Sequence, residues 1–252
     1  MADLLPLVLV TGAGSGLGHA VAQELAASGR YRVLVTARTT EKSRAAVRRM
    51  LDDDTIAVPP AAVVPLALDL TDDASIAAAV RFVDAQFGSL AVLVNCAGVD
   101  DPGSGSLRDR YRFVFETNAF GAAVLVDAFL DLIRASTHPD RRVVHVTSGA
   151  GQIGLALGPD DRYNARGVPA PVYRASKSAL NMITAVQSMT LAEEGIACLV
   201  AAPGPTRTAF STGRGEKDVH EGARPIIRAA TEGDPAALSG TLVADELTDY
   251  GW

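Results

Sequence analysis

Tyr173 and Lys177 stand four residues apart in a long helical pattern, and Ser148 closes an apolar run upstream of them. A phenol, an ammonium and a hydroxyl brought together can pass a proton to or from an alcohol oxygen. Residues at i and i+4 share one helix face, so the Lys177 charge is expected beside the Tyr173 oxygen. Two unit charges about 4 Å apart interact by about 4 kcal/mol at an effective dielectric near 20. At about 1.4 kcal/mol per pKa unit, that attraction would draw a phenol from about 10 toward neutrality. Burial acts the other way, so the expectation requires the lysine to outweigh it. Taken alone, Y-x-x-x-K is also what a surface tyrosine and lysine sharing a helix by chance look like.

A second constellation lies near the start of the chain. The first apolar run ends in Thr11-Gly12-Ala13-Gly14-Ser15-Gly16-Leu17-Gly18, and a helical pattern follows at once. Glycine lets the backbone turn tightly and approach a pyrophosphate, whose charge then meets the free N–H groups of the helix. The G-x-G-x-x-G spacing fails because Leu17 stands at its third glycine, and a P-loop fails for want of a following Gly-Lys-Ser/Thr. The pattern T-G-x-x-x-G-x-G, with Gly12, Gly16 and Gly18, fits. The second strand ends Val35-Thr36-Ala37-Arg38. A carboxylate there would bind the ribose 2′-hydroxyl of NAD. Ala37 offers none, whereas Arg38 offers a planar fork suited to a 2′-phosphate, with Lys42 or Arg44 placed to share the role. This points to NADP(H).

The elements that must position these groups alternate from end to end. Strands are expected over Leu7–Val10, Arg32–Thr36, Val63–Leu68, Ala91–Asn95, Arg142–Thr147, Ile196–Ala201 and Thr241–Val243. Most are almost wholly apolar, as parallel strands covered on both faces are. Helices are expected over Leu17–Ser28, Glu41–Leu51, Ala74–Phe87, Leu107–Ala135, Val172–Glu194 and Gly222–Ala230. Gly29, Gly88 and Gly195 fall where left-handed caps belong, and Asp72 or Asp73 where an N-cap belongs. Such alternation predicts a doubly wound parallel α/β sheet of about seven strands, a Rossmann fold. No linker or repeat interrupts it, so residues 1–252 read as one domain. The polar loops Gly98–Ser106, Gly149–Ala170 and Pro203–Glu221 each follow a strand's carboxyl end, where open α/β sheets bind ligands.

Composition narrows the partners. Hydrophobic residues make up 48% of the 252, and 23 basic against 29 acidic residues give a net charge of −6. With no Lys/Arg cluster, nucleic acid is not expected. Cys96 and Cys198 sit in separate apolar runs without a CxxC, and read as small buried hydrophobes rather than a disulfide or a metal site. The start lacks a basic, cleavable leader, and no stretch reads as the roughly 20 apolar residues of a membrane span. A cytoplasmic protein away from membranes is the expectation.

Together these residues resemble the short-chain dehydrogenase/reductase family over almost the full length. The motifs occur in order: TGAGSGLG at 11–18, Asp69-Leu70, Asn95-Cys96-Ala97-Gly98, Asn118, Ser148 in VTSGAG, Tyr173-x-x-x-Lys177, and Pro203-Gly204-Pro205-Thr206-Arg207-Thr208. The ARTTEK segment and the stretch from EGARP to Trp252 look most like the carbonyl reductase branch. The resemblance implies that Tyr173 gives the proton to a carbonyl oxygen, or takes it in the oxidative direction. It implies that Lys177 lowers the tyrosine pKa and holds the nicotinamide ribose, and that Ser148 hydrogen-bonds the substrate oxygen. Asn118 would order a water linking Lys177 to solvent. For the cofactor it implies Gly12, Ser15, Gly16, Leu17 and Gly18 at the phosphates, Asp69 and Leu70 at the adenine, and Asn95, Ala97 and Gly98 at the ribose. Pro203, Gly204, Thr206 and Thr208 would hold the carboxamide or phosphates.

Two features depart from the family pattern. Cys96 stands at the second Asn of N-N-A-G, a mainly structural position. Ser148 and Tyr173 lie 25 residues apart, against about a dozen in the simpler members. The extra segment, about Gly158–Ala170, holds Asp160, Asp161, Arg162, Tyr163, Asn164 and Arg166, and is expected to shape the substrate pocket. Carbonyl reductases carry a longer insertion here, associated with monomers, so the oligomeric state stays open. His145 reads as a packed strand histidine rather than a base, His220 as a solvated loop residue, and Arg207 as either a phosphate ligand or a surface group. The leading expectation is an NADPH-dependent reductase of a ketone or aldehyde. An NAD(P)-dependent alcohol or hydroxysteroid-like dehydrogenase running oxidatively is the alternative enzyme, and a non-catalytic NADP(H)-sensing regulator is the alternative from another class.

Overall fold

A computed structural model describes residues 5–159, 163–167, 169–213 and 215–245. Asp160, Asp161, Arg162 and Trp252 lie outside the described residues. Seven parallel strands form one sheet, β1 (Leu7–Val10), β2 (Arg32–Ala37), β3 (Val63–Ala67), β4 (Val92–Asn95), β5 (Arg142–Val146), β6 (Ala197–Ala201) and β7 (Leu242–Val243). Their spatial order is β3-β2-β1-β4-β5-β6-β7, so the winding reverses between β1 and β4. At such a switch point the crossovers leave in opposite directions and open a crevice above the strand ends.

Burial on both faces explains why the strands are so apolar. Side chains alternate across a strand, and here Leu7 and Leu9 join one core while Val8 and Val10 join the other. One layer holds α1 (Gly16–Ala27), α2 (Thr40–Leu51) and α8 (Val219–Thr231). The opposite layer holds α3 (Asp73–Phe87), α5 (Ala122–Arg134) and α7 (Pro171–Ala192). Gly29, Gly88 and Gly195 are left-handed where α1, α3 and α7 end, and Asp72 caps α3 by accepting from the Ala74 N–H.

The stretch expected as one helix over 107–135 is three segments. α4 (Leu107–Phe115) and α5 flank a π-helical turn, Glu116–Gly121. Its 28 residues are long and apolar enough to cross a bilayer by length and composition, contrary to the sequence expectation. The apolar side is turned inward instead: Val114, Leu125, Phe129 and Ile133 are fully buried in the protein. Short helices α6 (Ile153–Leu157) and α9 (Pro235–Leu238) were not expected.

Arg142 has no exposure, yet among the described residues its one carboxylate partner is Asp140 at 4.0 Å. Its guanidinium donates instead to the carbonyls of Ala229, Glu232 and Gly233 at 3.0, 2.5 and 2.7 Å, where the negative end of α8 lies. This ties β5 to the helix over the first core. Arg142→Leu strands those carbonyls and is expected to cost about 3 kcal/mol of stability, at the upper end for charged hydrogen bonds. Denaturant unfolding checks this; a loss within about 0.5 kcal/mol, the range of ordinary surface changes, contradicts it.

Candidate active site

The cleft above the β1/β4 switch point has a volume of about 1110 Å³. Its floor is the glycine turn. Gly12 is left-handed (φ 67°), and a Cβ there would stand 2.8 Å from the Ala97 Cα. A Cβ on Gly18 would stand 2.6 Å from the Gly12 carbonyl oxygen. Only glycine allows both approaches. The Ala97 N–H donates to Thr11 Oγ1 at 2.9 Å, locking the ends of β1 and β4 together.

Helix α1 begins in this cleft without a side-chain cap. Ser15 holds the N-cap position, but its hydroxyl accepts from no first-turn N–H. Thr39, Asp72, Ser106, Asp218 and Asp234 all cap their own helices. Free N–H groups at a helix start, beside glycines too close-packed for side chains, fit a pyrophosphate. The residues present therefore fit a dinucleotide.

Gly12, Ser15, Gly16, Leu17, Gly18, Arg38, Asp69, Leu70, Ala97, Gly98, Ser148, Tyr173, Lys177, Pro203, Gly204, Thr206 and Thr208 all line the same cleft. Two expected residues do not. Asn95 is buried beneath it, opposite His145 in the β4/β5 register, and donates to His145 Nδ1 at 3.3 Å. Asn118 faces inward from the π turn. Its amide donates to the Val99 carbonyl at 2.9 Å and to Ser176 Oγ at 3.1 Å, and its oxygen accepts from the Val99 N–H at 2.8 Å. It fixes the loop after β4 onto α7, close to Lys177: a Cβ on Gly98 would lie 3.5 Å from Asn118 Oδ1 and 3.6 Å from Lys177 Nζ.

Ser148, Tyr173 and Lys177 come together as expected, but their electrostatics do not follow the simple picture. Lys177 Nζ donates to the Val146 carbonyl at 2.8 Å and lies 5.8 Å from the centre of the Tyr173 ring. Burial lowers the ammonium to about 8. Burial also lifts the Tyr173 phenol above the ordinary tyrosine range, against a hydrogen bond with Ser148 that lowers it, and nearby Asp100 adds to the rise. The expectation that lysine outweighs burial is corrected here. The ammonium is aimed at the end of β5 and is itself desolvated, so it leaves the phenol protonated.

Segments 203–217 and 149–170 differ in what they contribute. The first closes on itself, with Thr206 bridging Lys217, Lys217 Nζ donating to the Pro203 carbonyl at 3.1 Å, and Arg207 donating to the Glu216 carbonyl at 2.6 Å. Arg207 thus braces the loop and is absent from the cleft lining. Phe210 from this loop rests on Tyr173, ring centres 5.6 Å apart. The second segment, expected to shape the pocket, contributes no lining residue among the described residues. Tyr163 instead packs on Gly149, and the buried Arg174 donates to the Tyr163 carbonyl at 2.6 Å, folding the segment back onto α7. Arg112, Phe113, Glu116 and Thr117 form the wall in its place.

Comparison with known proteins agrees with this geometry. A family model described as short chain dehydrogenase matches residues 6–218. The chain belongs to the short-chain dehydrogenase/reductase family. It is 50% identical over 252 residues to the short-chain dehydrogenase anuI of Penicillium roqueforti, covering 98% of each chain. A solved NADPH-bound carbonyl reductase from chicken fatty liver superposes with a TM-score of 0.81 at 29% identity, covering 98% of this chain and 99% of the other. Salutaridine reductase from Papaver somniferum shares the fold at 21% identity, with a TM-score of 0.79 over 94% and 99% of the two chains. As a short-chain dehydrogenase/reductase this protein is an oxidoreductase that uses a nicotinamide cofactor on a small-molecule substrate.

Other residues of this dehydrogenase surface only in three dimensions. Cys96 is not a plain core residue; it lines the cleft, although enclosure raises its thiol to about 12. Arg44 is absent from the cleft lining, while Arg49 is part of it. His220 leaves the loop to start α8 and pairs with Glu24 at 2.8 Å. His145 is packed, as read from the sequence. It accepts from Asn95 at Nδ1 and donates from Nε2 to Gln187 at 2.9 Å, a set that only the neutral ring satisfies.

Burial lowers His145 to about 4, from 6.5. Between those values the unfolded chain binds a proton that the folded chain refuses, so stability falls as pH falls through that window. One such group contributes up to about 1.4 kcal/mol per pH unit. Denaturant midpoints at pH 7 and pH 5 are expected to separate more for the wild type than for His145→Gln; equal separation contradicts the assignment.

Proposed function

We propose that this enzyme is an NADPH-dependent reductase converting a ketone or aldehyde to an alcohol. Tyr173, lining the cleft and hydrogen-bonded to Ser148, is the proton donor on which this reading rests. Burial keeps the phenol's proton in place at neutral pH, and a carbonyl being reduced develops an oxygen that must gain one. Ser148, already hydrogen-bonded to the phenol, is placed to hold that oxygen while its charge grows. Lys177 keeps α7 seated against the end of β5 and presents its remaining donors to the cleft. Bound along the glycine turn, a reduced nicotinamide would supply the hydride. The free N–H groups of α1 and residues Ser15–Gly18 would hold its phosphates, Asp69 and Leu70 the adenine side, and Ala97 and Gly98 the ribose. Pro203, Gly204, Thr206 and Thr208 would close over it: Thr208 lies 3.8 Å from where a Cβ on Gly16 would be.

The choice of NADP(H) rests on Ala37, Arg38 and Lys42 at the end of β2, all lining the cleft with no carboxylate at Ala37. The NADPH bound by the chicken carbonyl reductase supports it. Phe210 and Val99 in the lining favour a substrate with an apolar flank. We place the enzyme in the cytoplasm, where free thiols such as Cys96 and Cys198 persist.

Tyr173→Phe is expected to lower NADPH oxidation with a carbonyl panel at least about a hundred-fold, the lower bound for general acid catalysis. NADPH binding, followed by fluorescence, should remain; near-normal turnover would sink the assignment. Arg38→Ala is expected to weaken NADPH about ten-fold, one charged hydrogen bond, and to spare NADH. A wild type that prefers NADH, with a silent Arg38 change, overturns the cofactor choice.

A further inference from the structure

Three side chains of α2 reach the cleft: Lys42, Ala45 and Arg49. Their spacing of i, i+3 and i+7 is one helical stripe. Ser43, Ala46, Val47 and Met50 occupy the opposite, buried side. Lys42 and Arg49 are about 10 Å apart along the axis, at 1.5 Å per residue. The small Ala45 between them leaves an open gap. Helical side chains lean toward the N-terminus, so Arg49 in the last turn of α2 reaches back over that gap.

One bond orients it. Arg49 Nη2 donates to the Gly14 carbonyl at 2.5 Å, across 35 residues of sequence. Gly14 itself abuts the end of β2, since a Cβ on it would stand 3.3 Å from the Ala37 Cβ. The guanidinium is thereby held between the glycine turn and the strand end carrying Arg38. Among the described residues Arg38, Lys42 and Arg49 form no ion pair with a carboxylate. In a chain of net charge −6, three unneutralised cations around one gap are an anion-binding arrangement.

We infer that Arg49 is a cofactor-selecting residue: its guanidinium bridges the Gly14 carbonyl and the 2′-phosphate of the adenosine ribose, completing a three-cation clamp with Arg38 and Lys42. One guanidinium carries five N–H donors, so the bond to Gly14 leaves several for a phosphate. The bridge makes selectivity depend on the glycine turn as well as on the end of β2. This inference rests on the NADP(H) reading above.

Arg49→Gln keeps a donor for the Gly14 carbonyl but removes the charge, and Arg49→Lys keeps the charge but removes the fork. Binding of NADPH, NADH, 2′,5′-ADP and 5′-AMP is measured on the full chain of each variant and the wild type. Arg49→Gln is expected to weaken NADPH and 2′,5′-ADP about ten-fold, the range of one charged hydrogen bond, and to leave NADH and 5′-AMP unchanged. Arg49→Lys should fall between, because a point charge replaces a bidentate one. The slope of log Kd against log salt should be shallower for Arg49→Gln with 2′,5′-ADP only. Equal weakening of phosphorylated and unphosphorylated ligands would reduce Arg49 to a brace of the turn and overturn the inference. So would unchanged NADPH binding in Arg49→Gln when the wild type prefers NADPH. A wild type indifferent to the 2′-phosphate overturns the NADPH reading itself, before any variant is compared.

Discussion

The bond from Lys177 Nζ to the Val146 carbonyl is the join on which the site depends. It crosses from the helix that carries Tyr173 to the last residue of the strand that delivers Ser148. A buried ammonium is costly unless its donors are met, so the carbonyl at the end of β5 both satisfies the lysine and sets the height of α7. Other bonds repeat this junction. Thr147 Oγ1 donates to Asn181 at 2.5 Å, His145 to Gln187 at 2.9 Å, and Ser178 to the Gly151 carbonyl at 2.7 Å. One face of α7 is thus a row of polar contacts to the carboxyl end of β5, which a purely apolar interface would leave free to slide.

How far the site was legible in the sequence depends on the range of the physics. Strand β1 fell where its apolar run said, and β5 and β6 within one residue, because a strand buried on both faces leaves an unbroken signal. The glycine turn and the Ser148, Tyr173 and Lys177 trio were visible because their spacing is itself the constraint. The sign of the tyrosine's displacement was not. Helix spacing gives Lys177 a face, but it does not say that the ammonium points at a strand-end carbonyl inside a desolvated cleft. Asn95 was read as a cleft residue, yet strand alternation alone cannot tell which side of β4 lies under a ligand. Arg49 was hidden because its stripe acquires meaning only once α2 is docked against a turn 35 residues away.

The segment between Ser148 and Tyr173 shows the same limit from another side. Its length was conspicuous and suggested a pocket wall. Arg174, the neighbour of Tyr173 in sequence, gathers it from behind through the Ala150 and Tyr163 carbonyls at 3.3 and 2.6 Å. Composition marks Arg174 as a surface residue, and only 7% of it is exposed. The cleft therefore takes its wall from α4, the π turn and the loop bearing Phe210, and the extra segment serves as backing for α7.

The π turn at Glu116–Gly121 bears on how the gene can change length. A wide turn holds one residue more than an α turn, and so takes up an extra residue without turning the helix on either side. Val114 on one side and Leu125 on the other are both fully buried. Deleting a single codon there would let the turn close to ordinary α geometry with α4 and α5 still in phase, whereas a codon lost from α5 would rotate α4 by about 100°. In the second case Val114 would swing out of the core, and Phe113 would leave the cleft. At this point in the chain the frame of the helix, more than the identity of any one side chain, holds the wall of the site in place.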